Sequence, residues 1–143
     1  MDSLLTELLA VLEQQNAILA DLLTAAQKHN TVMLKNDTSG IMAAVMQLEE
    51  LSQDLRKQDQ QREFIQQRLA DVLGLERQVI FSDIMASAEK SQLALGLMKL
   101  AEEIRENMNK LGEINKLNHV LAARGLQFTS QILNIIMPNE SNT

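Results

Sequence analysis

Cysteine, tryptophan and tyrosine are absent from this 143-residue chain, phenylalanine occurs three times, and the one proline is Pro138. Without cysteine there is neither a disulfide nor a thiolate metal site, and a reducing compartment is the natural expectation. So few aromatic rings leave little to stack on bases. A formal net charge of −6 opposes contact with a phosphate backbone, which needs clustered Lys and Arg. Five scattered glycines cannot build a phosphate cradle, and no G-x-S-x-G, P-loop or dinucleotide fingerprint occurs. Nor does any stretch approach the roughly 20 uninterrupted apolar residues of a membrane span. Met1-Asp2-Ser3 lacks the basic leader and small-residue cleavage site of a signal peptide, so a soluble, cytoplasmic protein is expected.

What is present is a heptad pattern, repeated in three blocks. Leu5, Leu8, Leu12, Gln15, Leu19, Leu22, Ala26, His29 and Met33 form one seam. Ile41, Ala44, Leu48, Leu51, Leu55, Gln58, Arg62, Ile65, Leu69 and Val72 form the second. The third runs unbroken from Leu93 through Leu97, Leu100, Ile104, Asn107, Leu111, Ile114, Asn118, Leu121, Gly125, Phe128 and Ile132 to Ile135. Alternating steps of three and four suit long helices lying against other helices. The expected fold is all-α: a single domain built as an antiparallel, coiled-coil-like, left-handed bundle of three long helices, with one short connector helix.

Local signals set the boundaries. Ser3 can cap a first helix over about 3–35. Its apolar residues spread beyond the seam to Leu4, Leu9, Val11, Ile18 and Leu23, so it should pack against two neighbours and form the central element. Asn36-Asp37-Thr38-Ser39-Gly40 is the only turn-like cluster of the first half, and Asp37 is a good cap for a second helix over about 38–73, stopped by Gly74. The heptad phase is lost over 75–89, where Phe81-Ser82-Asp83-Ile84-Met85 reads as a capped short helix inside a connector. A third helix over about 91–137 ends at Pro138, and a frayed tail follows over 138–143. The first two helices would be about 50 Å long and the third about 70 Å, so one end of the third should overhang.

Catalysis finds no support in the residues. A di-metal centre in a helical bundle needs Glu-x-x-His spacings, and neither His29 nor His119 has Glu three positions earlier. Polar residues on the seams, among them Gln15, Gln58, Arg62, Asn107 and Asn118, are read as register-fixing interruptions. No enzyme, cofactor or metal site is expected. Ile114 to Asn139, by contrast, contains no carboxylate and only Lys116 and Arg124 as cations. A second apolar stripe there, Ala122, Leu126, Leu133 and Ile136, makes the distal part of the third helix apolar on two faces. Either both faces are core, or one is a surface that docks a partner. The methionines, Met42, Met46, Met98 and Met108 among them, either fill core gaps or serve an apolar docking surface.

The chain resembles the FlgN family of flagellar export chaperones. The likeness rests on the Thr31-Val32-Met33-Leu34 helix end before the Lys35-Asn36-Asp37 bend, and on Arg68-Leu69-Ala70-Asp71-Val72-Leu73-Gly74-Leu75. It continues in the Leu111, Asn115, Asn118, Leu121 core of the third helix and the apolar tail Leu126 to Ile136. The resemblance implies a cytoplasmic chaperone of the type III pathway in flagellum biogenesis. It would bind the amphipathic C-terminal helix of hook-associated, hook–filament junction proteins, prevent premature assembly, and deliver them to the export apparatus. Asn115, Asn118, Leu121, Leu126, Phe128, Ile132, Leu133 and Ile136 would form the partner-binding surface, which a second copy could cover in a free-state homodimer. No nucleic acid, membrane insertion or cofactor is implied. The alternative is a structural coiled-coil adaptor or self-associating scaffold.

Overall fold

The computed structural model describes residues 2–74 and 92–136, with side chains from 3 to 74 and from 92 to 123. Among the described residues there are three long helices and no strand: α1 (Asp2–Leu34), α2 (Thr38–Leu73) and α3 (Gln92–Ile136). The connector over 75–89, with its expected short helix, and the tail over 138–143 lie outside the described residues.

Two capping devices explain why α1 and α2 end where they do. Asn36 adopts a left-handed φ of 53°, its N–H donates to the Met33 carbonyl at 3.1 Å, and the Asp37 N–H donates to the Val32 carbonyl at 3.0 Å. This is a Schellman closure, and Asn is one of the few residues with a Cβ that enter the left-handed region routinely. Asp37, already extended at φ −83° and ψ 94°, then accepts from the Gly40 N–H at 3.1 Å and so caps α2. Gly40 has no room for a side chain: a Cβ would lie 2.5 Å from Asp37 Oδ2 and 2.8 Å from Val32 Cγ1. At the other end of α2, Gly74 takes φ 71° and donates its N–H to the Ala70 and Asp71 carbonyls.

Burial follows the seams. Leu5, Leu8, Leu12, Leu19, Leu22 and Ala26 of α1 are buried, and so are Leu4, Val11 and Ala25 on its second stripe. That double burial is what a central helix requires: α1 packs along both α2 and α3, which scarcely meet each other. The core concentrates at the first end of α1, where Leu4, Leu5, Leu8, Val11 and Leu12 enclose Ile65, Leu69 and Leu97, with Leu73, Leu93 and Leu100 packed around them. Late in α2 the seam shifts by one position. Val72 is exposed, whereas Gln66 and Ala70 are buried and Leu73 is partly buried. A helix with 3.6 residues per turn lags a strict heptad by about 20° per repeat, so between Ile41 and Val72 the contact stripe drifts by close to one residue.

Polar rungs set the register of the helices. Gln15 of α1 donates to Asp59 of α2 at 3.2 Å, so α2 folds back along α1 from the turn. Asn107 of α3 donates to Asn16 at 2.8 Å, and Asn118 donates to the Ala26 carbonyl at 2.9 Å, so residue numbers rise in the same sense along α1 and α3. These rungs pair residues 91 and 92 positions apart, which sets Leu34, the last residue of α1, roughly level with Gly125 and Leu126. Beyond that level the helical backbone of α3 continues to Ile136, roughly 15 Å further, past both described neighbours.

Candidate partner-binding surface

Because α2 and α3 are each held to α1 and scarcely to each other, a furrow opens between them over the middle of α1. Leu12 and Leu19 form its floor, Leu55 and Arg62 line one wall and Ile104 and Met108 the other, around about 480 Å³. Its lip is polar. Asp59 accepts from Arg62 Nε at 2.8 Å and from Gln15, and Arg62 also donates to Gln66. The Arg62 hydrogen bond, opposed by partial burial and aided by the same guanidinium's charge and by Gln15, holds the Asp59 carboxyl below its ordinary value of 3.8.

A lowered folded-state value means that the ionised carboxylate stabilises the fold. The contribution is complete above the ordinary carboxylate range and is lost as the pH falls through the lowered value. Asp59→Asn should therefore destabilise the protein at neutral pH, by no more than about 1 kcal/mol, since the Asp59 side chain is 47% exposed and solvent screens the pair. Denaturant melts at a series of pH values check this. The gap between variant and parent should close once Asp59 is protonated in the folded state, and a gap independent of pH would contradict it.

The residues expected to bind a partner occupy one helix and split into three groups. Asn115 is exposed and Leu121 is half-buried. Asn118 is only 5% exposed, with its Nδ2 given to the Ala26 carbonyl and its Oδ1 accepting from Asn30 at 3.1 Å. Its amide is thus committed within the bundle as a clamp between α1 and α3. Leu126, Phe128, Ile132, Leu133 and Ile136 lie on the overhanging turns of α3, and their side chains are outside the described residues.

Reading the seams alone passes over two residues. Leu117 and Val120 are 51% and 45% exposed, on the turns leading into the overhang. Their signal was that they are apolar yet off the seam, each one position before Asn118 and Leu121. Lys116 shares this exposed side, and makes no ion pair among the described residues. An apolar strip flanked by cations, with Glu113 one turn before Leu117 as the last carboxylate of α3, can hold an apolar helix, and offers no nucleophile. Among the described residues there is no group of His, Asp and Glu able to hold a metal, and no helix is long and apolar enough to cross a membrane.

Comparison with known proteins narrows the class. Neither a curated protein nor a solved structure matches the chain. A family model described as FlgN protein matches it from residue 1 to residue 143. A match along the whole length, over a chain whose described residues form three packed helices, settles the assignment: the chain belongs to the FlgN family of flagellar export chaperones.

Proposed function

We propose that this protein is a cytoplasmic chaperone that masks the amphipathic C-terminal helix of a hook-associated protein, prevents its premature assembly, and delivers it to the type III export apparatus. The observation that carries this reading is the overhang. The helical backbone of α3 outlasts its described neighbours over the stretch that is acid-free and apolar on two faces, and helix-in-groove docking needs such a stripe with anchors spaced three and four residues apart. Asn115, Leu121, Leu126, Phe128, Ile132, Leu133 and Ile136 contact the partner, while Asn118 serves the surface by clamping α3 to α1. The three helices wrap with left-handed, coiled-coil-like crossings, in keeping with their three-and-four seams. Masking uses no cofactor or energy source of its own, because binding alone withholds the partner's apolar face.

Mixing the protein with purified hook-associated proteins tests this. A stoichiometric heteromeric complex in size-exclusion chromatography with light scattering is the expected result. Homo-oligomers that grow with concentration, and no mixed complex, would instead identify a self-associating scaffold.

A further inference from the structure

The proposed docking reading leaves open the chemistry that selects one apolar helix over another, and the charge of α3 supplies it. The chain as a whole is strongly acidic, yet Ile114 to Asn139 contains no Asp or Glu. Just before the overhang and one turn past Glu113, the last carboxylate of α3, the exposed Leu117 and Val120 sit beside Lys116, and Arg124 comes four positions after Val120 along the helix. Lys116 has no ion-pair partner among the described residues. A −6 protein that clears every carboxylate from one helix end presents a local positive edge inside a repulsive overall field.

Resting on that docking reading, we infer that the partner helix seated on α3 carries acidic side chains along the edges of its apolar stripe, opposite Lys116 and Arg124. Apolar contacts hold the helix down. The flanking carboxylates select and orient it, since like charges placed against Lys116 and Arg124 would be rejected. Net charge alone would give the opposite selection, because a −6 protein attracts basic peptides from a distance. Preference for an acidic helix can therefore arise only from the local edge.

Two synthetic helical peptides with one shared apolar stripe, flanked by Glu in the first and by Lys in the second, test the inference by calorimetry with the full chain. The Glu peptide should bind about tenfold more tightly at low ionic strength, with the difference shrinking as salt is added. Lys116→Glu with Arg124→Glu should reverse the order, so that the Lys peptide rescues what the Glu peptide loses; Lys116→Gln with Arg124→Gln should remove the preference without reversing it. Circular dichroism of each variant should match the parent. Equal binding of the two peptides, or a parent that prefers the Lys peptide, overturns the inference and leaves the docking surface standing. Failure of both peptides overturns it as well, and if hook-associated proteins also fail to bind, the docking reading falls with it. Two further outcomes overturn it by naming another occupant: binding to vesicles of anionic phosphatidylglycerol in place of the Glu peptide, or a salt-sensitive homodimer that neither peptide displaces.

Discussion

Leu126→Asp combined with Leu133→Asp should abolish the proposed binding to hook-associated cargo and leave the hairpin of α1 and α2 folded. Both leucines belong to the acid-free overhang, seven positions apart and so on one helical face. Burying an unpaired carboxylate under a docked helix costs several kcal/mol at each site, enough together to weaken binding by at least about a thousandfold. Calorimetry measures the affinity, and circular dichroism on the same sample follows the helices. A variant that loses its helical signal would place these leucines in the core. A folded variant that still binds with parental affinity would move the docking surface elsewhere.

The second large effect belongs to the core. Leu8 is fully buried in the cluster where all three helices converge, with Leu69 and Leu97 as fellow members. Leu8→Ala should cost about 3 to 5 kcal/mol through lost transfer energy and the cavity left behind, lowering the melting temperature by roughly 10 °C or more. Leu55→Ala is the contrast. Leu55 is half-buried on the furrow wall, where water already reaches, so its truncation should cost less than half as much. Thermal and denaturant unfolding of the two variants decides the matter, and equal losses would mean that the furrow is packed as tightly as the core.

Much of this architecture is written in residue spacing. The α1 seam from Leu5 to Ala26 is buried, and its second stripe through Leu4 and Val11 foretells a helix with two neighbours. Asn36, Asp37 and Gly74 encode their turns because left-handed and extended backbone has strong residue preferences. Val72 was misplaced for a physical reason: a strict heptad assumes full supercoiling, and α2 drifts off it by one residue. Rung partners are equally hidden. Asn107 and Asn118 announce themselves by interrupting a seam, but Asn16, which accepts from Asn107, and Asn30, which donates to Asn118, lie off the α1 seam and look solvated. The furrow leaves no trace in the sequence, because it arises from the distance between two helices that share no sequence relation. For the candidate site, the apolar and acid-free character of the third helix is legible, while the inward commitment of Asn118 and the exposure of Leu117 and Val120 depend on which face α1 takes.

The central position of α1 makes the molecule energetically a pair of interfaces sharing one member. Among the described residues, a disturbance in α2 reaches α3 chiefly through α1, since the outer helices scarcely meet. Residues without shared partners contribute additively, so faults where the outer helices touch α1 separately sum, whereas faults on α1, or in the cluster that Ile65, Leu69 and Leu97 share, weaken both unions together. The same separation lets α3 loosen or tighten on α1 while the capped hairpin keeps its own stability, which suits the proposed docking of a partner on α3.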